Sequence, residues 1–209
     1  METENKSILK ALIMPTLFGI LILNIQLLQT FTKLNLTQFG IFPGKLSGLI
    51  GILFAPLIHS GFNHLISNLF PLIIMGTAVI YFYPKASNKV ITIIYFLTNL
   101  LVWLFARPAY HIGASGIVYG LASFLFFSGI IRRDVRAITI SLLVVFLYGG
   151  LVWGVLPIDK GVSYESHFYG GTVGFLCSFI FRKIDPYKRY DWEDEERDWN
   201  KEDLKIKYD

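Results

Sequence analysis

Six apolar stretches run through the first 181 residues, at about 8–28, 64–83, 90–106, 115–131, 137–156 and 167–181. Each approaches the roughly 20 residues a helix needs to cross about 30 Å of hydrocarbon. Pro15 and Pro71 fall inside two of them, where neighbouring helices can satisfy the freed carbonyls. The first stretch is too long, and its start too polar, for a cleaved signal. A seventh apolar piece, 46–58, is broken by Gly48, Gly51 and Pro56 and is too short to span. It reads as an interfacial or re-entrant segment of a loop covering about 29–63. The pattern predicts an all-α polytopic membrane protein: a six-helix bundle over 1–181 with a long first outer loop, then a charged tail over 182–209.

Composition sharpens this picture. Hydrophobic residues make up 54% of the 209 and charged residues 16%, against about 25% charged in an ordinary soluble domain. Residues 182–209 hold 18 of the 34 Asp, Glu, Lys and Arg side chains, and no acid occurs between Asn5 and Arg133. Paired-carboxylate catalysis is therefore excluded from most of the chain. No HExxH or comparable cluster offers a metal site, no glycine-rich loop offers a nucleotide site, and Cys177 has no cysteine to pair with. No metal and no cofactor are expected.

The net charge of +4 comes from basic residues that flank apolar runs, which suits bilayer headgroups and not nucleic acid. With both termini cytoplasmic, 15 Lys and Arg lie on the inner side and only Lys33, Lys45, Arg107 and Lys160 on the outer. The positive-inside rule selects that orientation, in the cell (inner) membrane.

Polar groups within spans are costly and mark function. His59, His64, His111 and His167 all fall at or beside the outer ends of expected spans, at one shared depth. In HLISN, His64 and Asn68 are one turn apart on one helical face and offer two donors to one point, or a plain interhelical polar contact. Ser115 opens the fourth span in HIGASGIVYG, where Gly113 and Gly116 permit close backbone approach and expose amides at a helix start. Taken alone it could be an N-cap.

His167 opens the sixth span in SHFYGGTVG. There Gly170 and Gly174 form a GxxxG face that could pack on Gly116, Gly120 and Ser123. Such packing would bring a serine hydroxyl and an imidazole base together, with Tyr119 placed to stack on the imidazole. Nucleophile, base and oxyanion donors are the requirements of acyl transfer.

HSGFNHLISN, GASGIVYG and HFYGGTVG, in that order, resemble the HxxxN, GxSG and HxxGxxxG motifs of the rhomboid intramembrane serine proteases, over roughly residues 40–181. The resemblance implies a Ser–His dyad without an acid, with Ser115 as nucleophile and His167 as general base. His64, Asn68 and the Ser115 amide would form the oxyanion hole, Tyr119 would support His167, and His59 would be structural. Substrates would be transmembrane helices of other proteins, met in the lipid bilayer. The first loop lacks the Trp-Arg pair some relatives carry, and the six spans resemble the basic bacterial form. A rhomboid-like protein that binds membrane clients without cutting them is the alternative; a transporter is disfavoured by apolar mid-span positions and the lack of internal repeats.

Overall fold

A computed structural model describes residues 7–157 and 161–187. The charged stretch beyond residue 187, the larger part of the expected tail, lies outside the described residues. The chain folds as a helical bundle. Helix α1 covers Ile8–Thr32, α3 Phe62–Phe82, α4 Ser87–Phe105, α5 Ser115–Arg132, α6 Val135–Tyr148 and α7 Tyr164–Ile180. The first loop holds a short helix, α2 (Gly51–Phe54), between 3-10 turns at Leu46–Ile50 and Ala55–Leu57.

Among the described residues, five elements are long and apolar enough to cross a membrane: α1, α3, α4, α5 and the combined segment Val135–Val155. At 17 residues α7 is shorter, about 26 Å at 1.5 Å per residue. Two details depart from the expected pattern. Helix α1 runs one turn further, so residues 29–32 are helical and not loop. The fifth span is not one α-helix: α6 stops at Tyr148 and the chain continues as a 3-10 segment, Gly149–Val155. The paired Gly149 and Gly150 fall where the helix changes character, as low helix propensity favours.

Helix α5 is the centre, most of its residues buried, whereas few residues of the fifth-span segment are. In lipid, helices associate through close packing and not through hydrophobic burial, so small residues mark their interfaces. A Cβ on Gly170 would overlap the Gly116 carbonyl, and one on Gly174 would overlap the Gly120 carbonyl. Ser123 Oγ donates to Gly171 O at 2.6 Å across the same seam. The two glycine contacts step along both helices in the same direction, which makes α5 and α7 parallel neighbours in near backbone contact. Similarly, Gly76 of α3 admits the Pro15 ring of α1, and Gly129 of α5 leaves room for Ser141 of α6.

At the end where α5 and α7 finish, the bundle is tied by side chains. Asp185, buried and at φ +59°, accepts from the Lys85 amide (3.1 Å) and the Ala86 amide (3.0 Å) at the start of α4. Arg132 donates to the Phe181 and Ile184 carbonyls at 2.9 and 2.8 Å, while its guanidinium lies 4.6 Å from the Tyr83 ring centre. The carbonyls of the turn that follows α7 gain side-chain partners this way.

Candidate active site

The loop before α5 is pinned on several sides. Ile41 and His111 exchange two backbone hydrogen bonds (3.0 and 2.9 Å), and the Gly113 amide donates to Ala55 O at 2.9 Å. The Ala114 amide donates to His59 Nε2 at 3.3 Å. His59 is therefore unprotonated at Nε2, in keeping with burial and the neighbouring His64, which push its pKa down to about 4. His111 donates from Nε2 to Arg107 O (3.0 Å) and accepts at Nδ1 from the Ser163 hydroxyl (2.6 Å). Burial lowers its pKa also. Ser163 in turn caps α7 by accepting from the Ser166 amide at 3.3 Å. Two of the four histidines thus fasten the loops from which α5 and α7 start.

Ser115 is the first residue of α5 and is largely buried. Its hydroxyl makes no hydrogen bond among the described residues, yet it is not one of the sealed polar atoms without a partner, so it keeps some open surface. Gly113 sits at φ +105°, a conformation open to glycine. A Cβ there would lie 2.7 Å from His64 Cε1 and Nε2, so the missing side chain is what lets the imidazole rest against the start of α5. On its other edge His64 Nδ1 lies 3.2 Å from Ser60 Oγ. His59 and His64 meet edge to face, with centroids 5.0 Å apart. Asn68, one turn below His64, is buried and spends one amide hydrogen on the His64 carbonyl at 2.6 Å. A second amide hydrogen remains.

His167 lies one turn into α7, beside Ser166, whose carbonyl would sit 3.2 Å from a Cβ on Gly116. The turn bearing His167 therefore faces the turn bearing Ser115. The Tyr119 ring stacks flat on the imidazole, centroids 4.0 Å apart and planes 5° apart. His167 Nδ1 lies 2.7 Å from the Gly154 carbonyl oxygen. A carbonyl can only accept, so Nδ1 carries the hydrogen and Nε2 presents its lone pair. Tyr119 donates to the Leu151 carbonyl at 2.7 Å.

Ser115, His167, His64, Asn68, Tyr119, Gly113 and Gly116 thus gather at one end of the bundle, and Gly170 and Gly174 set the helix spacing below them. Three contributors escape a reading of the sequence: the Gly154 and Leu151 carbonyls, because backbone groups carry no sequence signature, and the His59 contact to Ala114, which only the folded loop creates. The Gly149, Gly150 and Gly154 cluster is the one trace of them.

The Rhomboid domain family matches residues 43–184, the segment from the first loop to the turn after α7. The chain is 33% identical over 185 residues to an uncharacterized protein of Mycobacterium bovis, covering 82% of this chain and 77% of that one. To an uncharacterized protein of Mycobacterium leprae it is 30% identical over 172 residues, covering 78% and 68%. It is also 32% identical over 144 residues to the RHOMBOID-like protein 4 of Arabidopsis thaliana, covering 65% of this chain and 34% of that longer relative. With apolar helices long enough to span and a family match over most of its length, this multi-pass membrane protein belongs to the rhomboid family.

Proposed function

We propose that this protein is an intramembrane serine protease that cleaves transmembrane helices of other membrane proteins. The observation that carries this reading is a His167 imidazole whose Nδ1–H is committed to the Gly154 carbonyl, leaving Nε2 as a base, on a turn of α7 that faces the turn of α5 bearing the unbonded Ser115 hydroxyl. Ser115 Oγ attacks a peptide carbonyl as His167 Nε2 takes its proton; the imidazolium then returns the proton to the leaving amine. Water adds to the acyl-enzyme by the same route in reverse.

The tetrahedral oxyanion is stabilised by the Ser115 amide, the second Asn68 amide hydrogen and His64 Nε2–H, the Ser60 hydroxyl donating to His64 Nδ1. One such donor contributes about 3–4 kcal/mol in comparable sites. A substrate helix must unwind locally because its carbonyls are occupied, so Gly or Pro near the cut lowers the cost. The positive-inside bias supports cytoplasmic termini and a site at this end of the bundle near the outer face of the inner membrane, within reach of water.

Cleavage of a reporter transmembrane helix by the purified protein in liposomes tests this. The expected result is cleavage by the wild type and none by Ser115→Ala or His167→Ala, with all three inserted equally. Cleavage persisting in Ser115→Ala would reject the reading.

A further inference from the structure

The rhomboid reading leaves open what orients a base that has no acid behind it. Among the described residues no carboxylate bonds His167; the nearby Glu165 is turned toward Arg107, at 3.6 Å. We propose, resting on the catalytic reading above, that the Gly154 carbonyl is the positioning group for His167. It takes in backbone form the place a carboxylate holds in a three-residue serine site. Leu151 O secures the same segment through Tyr119.

Three observations converge. The 2.7 Å contact fixes the tautomer, because only an Nδ1–H can bond a carbonyl. Stacking on Tyr119 restricts the ring plane but not its rotation within that plane, so the in-plane contact at Nδ1 is what aims Nε2. Gly154 is also the residue that space demands. A Cβ there would overlap Tyr119 Oη and come 3.1 Å from His167 Nδ1, so the carbonyl can reach the imidazole only from a residue without a side chain.

The 3-10 segment Gly149–Val155 differs from an α-helix in a way that serves this role. Two of its carbonyls, Leu151 O and Gly154 O, turn to side chains of α5 and α7. The same segment exposes Val152 and Trp153, and α6 approaches the α5 backbone closely lower down, at Gly129 and Ser141. The two side-chain bonds thus form a direct polar link between the fifth span and the base. During acyl transfer the Nδ1–H bond persists while Nε2 gains the serine proton, and the carbonyl dipole faces the imidazolium that forms. No group beyond those named is needed for the proton balance.

The test uses the full-length protein in nanodiscs with 15N-labelled histidine, read by the nitrogen shifts of His167, and by kcat and KM on a reporter helix. In the wild type, His167 is expected as a single Nδ1–H tautomer. Gly154→Ala should give mixed tautomers and a kcat lower by ten-fold or more, with KM within about two-fold. A second variant isolates the carbonyl: Val155 replaced by its α-hydroxy analogue turns Gly154 C=O into an ester carbonyl, a weaker acceptor of unchanged shape. It should shift the tautomer balance the same way and lower kcat several-fold. The tautomer readout needs no activity, so it separates two failures. If the wild type cleaves through Ser115 but both variants keep the Nδ1–H tautomer and full kcat, this inference falls and the protease reading stands. If Ser115→Ala still cleaves, the protease reading falls and the inference with it. Activity lost from Gly154→Ala with the tautomer unchanged, and full activity in the ester variant, would make Gly154 a packing residue and overturn the proposal.

Discussion

Gly170 of α7 rests against the backbone carbonyl of Gly116 in α5, so close that a methyl group has no room between them. One turn lower, Gly174 repeats the contact on Gly120. Ser115 stands beside the first of these contacts and His167 one turn from it, so helix spacing and the relation of hydroxyl to imidazole are set by the same backbone approach. Gly170→Ala should therefore push the helices apart. The expected effect is a destabilisation of about 1–3 kcal/mol from overpacking, seen as a lower thermal midpoint in detergent. Activity should fall further, by about a hundred-fold, because ångström-scale misplacement of reacting groups is costly. Gly171→Ala, where a Cβ meets open space, is the matched control and should change neither.

Tyr119 contributes a stacked ring and a hydroxyl to different neighbours. Tyr119→Phe keeps the ring on His167 and loses only the bond to Leu151 O, so kcat should drop a few-fold. Tyr119→Ala removes both and should reduce kcat by at least ten-fold more. Steady-state cleavage of a reporter helix separates the two. Equal losses would show that the stacking does not matter.

Asn68 is one donor among several at the expected oxyanion position. Asn68→Ala should slow cleavage ten- to a hundred-fold without abolishing it, with KM little changed, since the loss falls on the transition state.

His59 gives the fold a defined acid sensitivity. Its Nε2 accepts the Ala114 amide and its pKa is held at about 4, below the ordinary 6.5. A histidine with a depressed folded-state pKa binds a proton more readily when unfolded. Its contribution is thus complete above pH 6.5 and is lost as pH falls from 6.5 toward 4, at up to about 1.4 kcal/mol per unit. Burial of His111 acts in the same direction. Thermal midpoints recorded between pH 7.5 and 4.5 should decline in the wild type and decline less steeply in His59→Gln, which keeps an acceptor without the titration.

Asp185 closes the opposite end of the bundle. Its carboxylate accepts from the Lys85 and Ala86 amides just before α4, near the positive pole of that helix. Asp185→Asn keeps an acceptor and tolerates the left-handed backbone at φ +59°, so the loss should be about 1 kcal/mol. Asp185→Ala leaves the Lys85 amide without its partner, leaves that of Ala86 only the Tyr83 carbonyl, and strains the backbone, and should cost about 2 kcal/mol. Thermal unfolding of the two variants in one detergent gives the ordering.

Much of this arrangement is legible in the sequence because lipid makes the chemistry sparse. With almost no charges in the spans, four histidines at one depth and glycines at GxxxG spacing stand out, and the small faces of Gly116, Gly120, Gly170 and Gly174 indicate which helices meet. What is not legible belongs to the backbone and to long-range contacts. An apolar run from 137 to 156 has the same composition whether its last turns are α or 3-10, yet only the 3-10 form turns Leu151 O and Gly154 O toward Tyr119 and His167. Asp185 reads as part of a charged, solvated end, and its burial against α4 depends on a contact 100 residues away in the chain. The end of α1 escapes for a milder reason: 29–32 is polar enough to resemble a loop, but Thr30 and Thr32 bond back to the carbonyls of Gln26 and Leu28 and stay helical.

The central claim is that Ser115 is a nucleophile activated by His167, and covalent capture tests it most directly. The purified protein, treated with a fluorophosphonate and digested for mass spectrometry, should carry one phosphonyl adduct on Ser115. Labelling should vanish in Ser115→Ala and slow by at least a hundred-fold in His167→Ala. A wild-type protein that inserts and folds normally but stays unlabelled, or one labelled equally after either substitution, would contradict the account.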